Sequence, residues 1–242
     1  MHSEQPLYYL SAHIHCCVLS DGAVFLDTRN GNYLGIDSRY LSVLTTHLAD
    51  WPTASTLHRT HPINNFKQGE QLIVDLRERG IITTTMSKRP VVEFKTPMAS
   101  WSATGRGTPR TAIPMQHRVI FILSLLRVLL MRRKDRLEPI INWLRRRQIP
   151  VDRVGSIDTE RITGLLHSFE RTRLWFYTAK QQCLLDSLVL SAYLSHAGQP
   201  CSFVIAVSTK PFLAHAWVQI ENAVLNDTAE HAQLFSPLLV VG

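Results

Sequence analysis

Three residues in the C-terminal part of the chain have the types and the order that a cysteine nucleophile requires. Cys183 is followed 32 residues later by His215, and Asp227 comes 12 residues after the histidine. A thiol attacks a carbonyl carbon, an imidazole holds the thiol as thiolate and returns a proton, and a carboxylate fixes the imidazole tautomer. The chain has 4 cysteines and 11 histidines, which allow many such orders, so the elements around these residues decide the interpretation.

A helix is predicted to present the cysteine. Residues 181–198 are apolar on nearly all sides, and Gly198 and Pro200 end the pattern. Such a helix is central in its domain. Cys183 lies in the first turn, where backbone N–H groups and the helix dipole stabilise a thiolate and can hold a nascent oxyanion.

Strands are predicted to present the other two residues. Residues 201–207 and 213–220 have strand character, and Glu221-Asn222 turns the chain into a third strand that ends at Asp227. Adjacent strands would place Asp227 beside His215. In the middle strand, period-two alternation puts His215, Trp217 and Gln219 on one face.

Alternative interpretations of these residues stay open at this point. Cys183 would be an inert buried thiol if no imidazole reached it, and Cys201, which begins a strand, is expected only to pack. Asn226 is the alternative to Asp227 as the residue that orients His215. Trp217 either shields the His–Asp pair or fills the core.

Composition indicates a globular protein of two units. The 242 residues are 45% hydrophobic and 19% charged, and domains usually hold roughly 100 to 150 residues. Two of the four cysteines are adjacent, at Cys16 and Cys17, and no C-x-x-C pair is present, which argues against a disulfide framework and favours a reducing cytoplasm. The first residues lack the charged and apolar regions of a secretory signal.

The positive charge is concentrated in the middle of the chain. The net charge of +7 divides into −1 for residues 1–88, +11 for residues 89–180 and −3 for residues 181–242. Its densest parts, 132–134 and 145–147, fall on predicted helices. A solvated face is the simplest interpretation, and a docking surface for an acidic partner, a phosphate-bearing ligand or nucleic acid is the alternative.

Residues 1–85 predict a separate winged-helix-like domain, a three-stranded meander followed by three helices. The strands are predicted at 13–19, 23–28 and 32–36, joined by turns at Asp21-Gly22 and Asn30-Gly31. The helices are predicted from Asp37 or Ser38 to Ala49, from Pro52 onward, and from Gly69 to Arg79.

Nucleic acid and metal are poor ligands for this domain. The net charge of residues 1–88 is −1 and the third predicted helix mixes both signs, whereas duplex binding depends on neutralising many phosphates. We therefore expect no nucleic-acid partner. His13, His15, Cys16 and Cys17 could suggest zinc, but a single strand directs alternate residues to opposite faces, so we expect no metal site.

A linker and a group of helices are predicted between the two units. Residues 86–117 contain four prolines and repeated Gly, Ser and Thr, which indicates a linker. The apolar run at 119–131 is shorter than the ~20 residues of a membrane span, so we expect a buried helix and no membrane insertion. Helices at 137–146 and 158–173 are expected to wrap the catalytic core.

The C-terminal residues resemble a known enzyme family. A helix that starts with Cys, packed on an antiparallel sheet that carries His and then Asp, resembles the papain-like and transglutaminase-like superfamily. Cys183-Leu184 with Ser187-Leu188, the segment Leu194-Ser195-His196-Ala197-Gly198, and His215-Ala216-Trp217-Val218 before Asn226-Asp227 resemble the B protein of lasso-peptide biosynthesis, a transglutaminase-like leader peptidase. The resemblance covers residues 118–242.

This resemblance implies a cysteine peptidase that cuts the leader from a ribosomal precursor peptide and needs no cofactor. Cys183 would be the nucleophile, His215 the general base and then acid, and Asp227 the orienting acid. The backbone N–H of Cys183 would bind the oxyanion together with Gln181 or Gln182, whose role stays open because the papain-like helper lies further upstream. The implied partner is an ATP-dependent cyclase that resembles asparagine synthetase.

The N-terminal domain resembles the PqqD-like family of RiPP recognition elements, because its meander runs through Tyr33-Leu34-Gly35-Ile36 into the first helix. In that family a leader peptide adds as a strand to the sheet edge, between the third strand and the third helix. Backbone hydrogen bonds then supply affinity and side-chain pockets supply selectivity. The corresponding groove residues here are Tyr33, Leu34, Leu72, Asp75 and Leu76.

Two other functions fit the same residues. A transglutaminase-like acyltransferase would use the same thioester and differ only in the amine that accepts the acyl group. A peptide-binding scaffold would use the basic middle and the N-terminal domain without catalysis.

Overall fold

The structure is a computed structural model that describes residues 8–52, 66–86, 94–100, 113–132, 136–147, 158–178 and 182–242. The chain divides into two compact units, Met1–Val91 and Val92–Gly242. Helices and strands occur in both, so the mixed α+β class predicted from the sequence is confirmed.

The N-terminal unit combines short strands with helices. A 3₁₀ turn at Ser38–Tyr40 precedes the first α-helix. The elements are β1 (Tyr9–Leu10), β2 (Ile14–Leu19), β3 (Gly22–Asp27), β4 (Asn32–Asp37), α1 (Leu41–His47), α2 (Phe66–Glu78) and β5 (Ile82–Thr83).

The predicted meander is confirmed. β2, β3 and β4 form an antiparallel sheet in that order, with Phe25 of β3 opposite Leu34 of β4. Both predicted turns contain a glycine at positive φ, 153° at Gly22 and 72° at Gly31. A Cβ at Gly22 would overlap the carbonyl oxygen of Ile36, so this turn requires glycine.

The helices of this unit cover the sheet through one apolar core. Phe25, Leu41, Leu44 and Leu76 are buried in it. β1 pairs with β5 in a second, two-stranded sheet that the sequence did not predict. The predicted second helix lies in residues 53–65, outside the described residues, so the winged-helix-like arrangement stays a prediction.

The C-terminal unit packs helices on a five-stranded sheet. Its sheet has the order β10-β7-β8-β9-β6, antiparallel except for the β6–β9 pair. The elements are β6 (Ala99–Ser100), α3 (Met115–Met131), α4 (Glu138–Arg147), α5 (Thr159–Arg173), α6 (Cys183–His196), β7 (Ser202–Thr209), β8 (Phe212–Ile220), β9 (Ala223–Val224), α7 (Ala229–Ala232) and β10 (Ser236–Val241).

The centre of this unit is α6. Residues 185–194 of the helix are all buried, as its apolar sequence predicts. α3, α4 and α5 pack against it, which confirms that these helices surround the core. β7 and β8 cover another side of α6. Residues 203–207 are all buried, and a second apolar cluster that includes Val204, Ala206 and Trp217 covers the other face of the sheet.

Three local predictions need correction. The third C-terminal strand, β9, ends at Val224, so Asp227 lies in the following turn rather than on a strand. The predicted linker contributes β6, because the Met98 N–H donates to the Asn222 carbonyl and Ser100 pairs with Val224. Propensity did not indicate this strand, since two residues carry no periodic signal.

The third correction concerns α3, which is buried on one face only. Phe121, Ser124 and Val128 are covered, whereas Leu123 and Leu130 expose 54% and 65% of their surface. A continuous apolar run does not distinguish a one-sided from a fully buried helix. None of the described helices combines the length and apolar character that a membrane crossing requires.

Candidate active site

Cys183 is the first residue of α6, and its thiol is half-buried against β8. A side-chain hydrogen bond with His215 lowers the pKa of this thiol and outweighs burial, which acts in the opposite direction. The backbone N–H groups of Leu184 and Ala216 also stabilise the anion. The start of α6 and the strand β8 therefore both direct backbone N–H groups at the sulfur of Cys183.

His215 lies on β8, opposite Ala206 of β7, with 14% of its side chain exposed. Its Nε2 lies 2.5 Å from Oδ2 of Asp227. Burial by itself lowers the pKa of this imidazole, but the hydrogen bonds to Asp227 and Cys183 outweigh it and raise the pKa to about 9. At neutral pH the imidazole is therefore protonated beside a thiol whose pKa is lowered, which favours a thiolate–imidazolium pair.

Asp227 is held by three donors in the turn between β9 and α7. Its Oδ2 contacts His215 and also lies 2.7 Å from Nδ1 of His231, and its Oδ1 accepts the Thr228 N–H at 2.8 Å. Burial raises the pKa of this carboxyl, but these hydrogen bonds more than compensate and lower it. The group is thus a fixed carboxylate, as an orienting residue requires.

His231 is a site residue that the sequence reasoning missed. It lies on α7, four residues after Asp227, and 48% of its side chain is exposed. Its ring is 4.7 Å from that of His215, and Phe235 contacts both rings at 5.0 and 5.3 Å. The i, i+4 spacing of Asp227 and His231 could have indicated their contact, because residues at this spacing are neighbours near a helical turn. The short helix α7 was not predicted, so this spacing was not recognised.

A buried polar network connects α6 to the turn that carries Asp227. Asp186, 1% exposed, accepts two hydrogen bonds from Arg173 at 3.0 and 3.2 Å. Asn226 donates to Asp186 and Ser187 and accepts the Val218 N–H. Because a buried carboxylate is stable only when its charge and lone pairs are satisfied, this network fixes the turn against the helix.

The network also separates the roles of two neighbouring residues. The side chain of Asn226 bonds to Asp186, Ser187 and Val218, whereas Asp227 bonds to His215. The structure therefore brings Asp227, rather than the alternative Asn226, to the imidazole.

Trp217 fills the core, one of the two roles that the sequence suggested. It is fully buried in the core beneath the sheet, and its ring lies 6.0 Å from that of His215 in a stacked orientation. Its Nε1 donates to Gln219 at 2.8 Å, and Gln219 in turn donates to the carbonyls of Lys95 and Glu221. The contacts of Trp217 with His215 and Gln219 agree with the predicted common face of these three residues.

The two candidate oxyanion glutamines differ in what the structure describes. Gln182 is the N-cap residue of α6, and it is exposed, with no side-chain capping bond. Its carbonyl accepts the Asp186 N–H at 2.9 Å. Gln181 lies outside the described residues. The role of either glutamine in binding the oxyanion stays a prediction, and the start of α6 provides the Cys183 N–H as a donor.

Within the described ranges, one group of side chains has the composition of a metal site. It consists of His215, Asp227 and His231, whose ligand atoms all lie within 4.8 Å of one another. Both imidazoles direct a nitrogen at the same carboxylate oxygen, so hydrogen bonds to Asp227 already account for the geometry.

Two of the five predicted leader-binding residues line a cavity of about 460 Å³ in the N-terminal unit. Tyr33 and Leu34 of β4 form one wall, and Arg79 and Ile81, which follow α2, form another. Among the described strands, β4 pairs only with β3, so it is an edge strand. A strand edge beside a groove is the arrangement that strand addition uses.

The other three residues lie on α2. Leu76 is 1% exposed and belongs to the core, and Leu72 packs partly against the same core. Asp75 accepts a hydrogen bond from Gln71 at 2.8 Å. None of the three lines the cavity, so Tyr33 and Leu34 are the better-placed residues for a ligand.

We predict that iodoacetamide at pH 7 modifies Cys183 more than about tenfold faster than Cys17 or Cys201, because the thiolate is the reactive form. Burial raises the pKa of Cys17 and of Cys201 to about 12, whereas the pKa of Cys183 is lowered. Peptide mass spectrometry over time measures the rates. His215→Ala is the control, and it should slow modification of Cys183 selectively. Equal rates at the three cysteines would contradict the lowered pKa.

Comparison with known proteins identifies the domain that carries this site. Residues 124–240 match the Transglutaminase-like superfamily, and this range includes Cys183, His215 and Asp227. No curated protein and no solved structure gave a match. The C-terminal part of the chain is therefore a transglutaminase-like domain, a fold that cysteine peptidases and acyltransferases commonly use.

Proposed function

We propose that this chain, with its transglutaminase-like domain, is a cysteine peptidase that removes the leader from a ribosomal precursor in lasso-peptide maturation. The observation that carries the proposal is the alignment of Cys183 at a helix start, His215 on β8 and Asp227 bonded to that imidazole. The resemblance to the lasso-peptide B protein supplies the substrate class.

The geometry supports a two-step mechanism. The Cys183 thiolate attacks the scissile carbonyl, and the negative oxygen forms beside the N–H groups of the helix start. His215 gives its proton to the leaving amine, so the peptide bond breaks and a thioester remains. His215 then accepts a proton from water, which attacks the thioester and releases the carboxylate product. Asp227 holds the imidazole in one orientation throughout.

The pKa of His215 sets the expected pH dependence. The first step needs Cys183 deprotonated and His215 protonated, and the pKa of His215 is about 9. Cleavage should therefore decline as the pH rises through about 9, because the imidazole then has no proton for the leaving amine.

We further propose that the N-terminal unit binds the leader. The edge strand β4 and the adjoining cavity of about 460 Å³ support this role. An ATP-dependent cyclase that resembles asparagine synthetase is the proposed partner, and it would join an Asp or Glu side chain to the freed N-terminal amine. A cytoplasmic location is part of the same proposal.

An acyltransferase is the second candidate, because the match to the transglutaminase-like superfamily favours it equally. Both activities form the same thioester, and only the acceptor, water or an amine, differs. A scaffold without catalysis is the third possibility, and the lowered pKa of Cys183 argues against it.

Product masses distinguish these functions. We expect the full chain, incubated with a precursor peptide, to yield two fragments whose summed mass exceeds the precursor by one water. A product joined to an added amine would instead show acyl transfer, and a precursor that stays intact both alone and with the cyclase and ATP would show a scaffold. Adding the cyclase with ATP in a second reaction tests whether cleavage requires the partner.

Leader binding is expected to depend on the cavity beside β4. The Tyr33→Ala variant should weaken leader binding about tenfold, since interface side chains that matter cost more than about 1 kcal/mol on truncation. Fluorescence anisotropy of a labelled leader with the full chain measures this affinity. Tyr40→Ala is the control, because Tyr40 lies in the 3₁₀ turn and does not line the cavity. Equal affinities of both variants and the unmodified chain would place the leader elsewhere.

A further inference from the structure

A second concave site lies in the C-terminal unit, at the opposite end of α6 from the nucleophile. It is a cavity of about 640 Å³ between the start of α3, the middle of α5 and the end of α6. α6 has 14 residues, which at ~1.5 Å per residue places His196 roughly 20 Å from Cys183. The volume falls within the roughly 300 to 1,000 Å³ typical of small-molecule sites.

Three imidazoles converge on this cavity. His117 Nδ1 lies 3.0 Å from the Ser168 hydroxyl, and His196 Nδ1 lies 3.0 Å from the Ser124 hydroxyl. Both rings are therefore fixed in orientation. His167 also lines the cavity, and its Nε2 is buried with no hydrogen-bond partner in the described part of the chain. Buried nitrogens of this kind are rare in proteins, and a bound ligand is one of the few ways to satisfy them.

The charge of the lining is positive. Arg161 lies on the wall and donates from Nη2 to the Ala197 carbonyl at 3.1 Å, which leaves most of its five N–H donors available. Among the described residues, no carboxylate forms an ion pair with Arg161, and no Asp or Glu lines the cavity. An arginine without a carboxylate, next to histidine N–H donors, favours an anion.

Gly164 makes the space. It lies in the middle of α5, where glycine is a weaker helix former than alanine, and its φ is an ordinary helical one. A Cβ at this position would meet nothing within 4 Å. Neither backbone conformation nor close packing therefore requires glycine here. Its effect is to widen the gap between Arg161 and Ser168, which lie on the same face of the helix.

We propose that this cavity binds a small organic anion, a carboxylate or a phosphate monoester joined to an apolar group. Arg161 binds the anionic group, with His167 and His117 as additional donors. Ile113, Ile120 and Leu165 contact the apolar part. The inference uses no residue of the Cys183 site, so it is independent of the proposed peptidase activity.

Two aromatic anions test this proposal by isothermal titration calorimetry on the full chain. We expect 2-naphthoate, 1-naphthyl phosphate or both to bind with a stoichiometry of one, and uncharged 2-naphthol to bind at least tenfold more weakly. Preference for one anion identifies the carboxylate or the phosphate as the natural group. The absence of saturable binding by either anion, or equal binding of 2-naphthol, would overturn the proposal.

Matched variants locate the site. Gly164→Phe fills the cavity and should abolish binding, whereas Gly164→Ala adds one methyl group and should leave it intact. Arg161→Gln should weaken binding at least tenfold, and Arg171→Gln, which changes an exposed arginine of the same helix outside the cavity, should not. Circular dichroism checks the fold of each variant. Unchanged binding in folded Gly164→Phe or Arg161→Gln would refute this location, as would loss of binding in Arg171→Gln.

Discussion

The Cys183→Ala variant is expected to lose precursor cleavage by about 10⁴-fold or more, because removal of a nucleophile eliminates the covalent step. Its affinity for the leader should be unchanged, since the proposed leader groove lies in the N-terminal unit. Mass spectrometry of the precursor measures cleavage, and calorimetry with the leader peptide measures binding. The two readouts together separate catalysis from recognition.

Cys201→Ala is the matched control for this experiment. Burial raises the pKa of Cys201 to about 12, and this thiol lies just before β7, at the opposite end of α6 from Cys183. We expect this variant to cleave at close to the original rate. Persistent cleavage by Cys183→Ala would refute the assignment of the nucleophile, whatever the control shows.

The Asp227→Asn variant is expected to lower cleavage by about 10³ to 10⁴-fold, the effect that loss of the orienting carboxylate has in Ser–His–Asp enzymes. The amide is neutral, so it no longer stabilises the imidazolium of His215. The pKa of His215 should fall from about 9, and the alkaline limit of activity should move to lower pH. A pH profile of kcat/KM, measured with a fluorogenic precursor, reads both effects.

His231→Gln is the control for Asp227→Asn. The imidazole of His231 contacts the same Oδ2 of Asp227 but is half exposed, and Asp227 also has a direct contact with His215. We expect a decrease of about tenfold or less, because solvent screens this half-exposed pair and such pairs contribute about 1 kcal/mol or less. If both variants lowered activity equally, His231 would have to share the catalytic role.

The elements that carry the site residues could be predicted where the local pattern of apolar and polar residues indicates a helix or a strand. The apolar run after Cys183 indicates a buried helix because it leaves no polar face at a spacing of 3.6 residues. Period-two alternation from His215 to Gln219 indicates a strand with one common face. Glycine at Asp21-Gly22 and Asn30-Gly31 indicates tight turns, because only glycine adopts these φ values without strain.

Other parts of the site depend on contacts that are distant in the sequence. Asp227 reaches His215 from a turn, and the position of that turn depends on the Asn226–Asp186 hydrogen bond across 40 residues. β6 joins the sheet through a stretch that composition described as a linker. No local pattern encodes such pairings, because the free energy that stabilises them comes from burial of groups that meet only after folding.

The sequence by itself determined the residue types and most of the elements: a thiol at a helix start, an imidazole on a strand and a carboxylate after it. Only the tertiary structure decided that Asp227 rather than Asn226 contacts His215, that His231 shares the same carboxylate oxygen, and that α3 is covered on one face. The physical reason is that side-chain type and local periodicity act within one or two turns of chain. The choice among partners depends instead on desolvation and hydrogen-bond satisfaction across the whole domain.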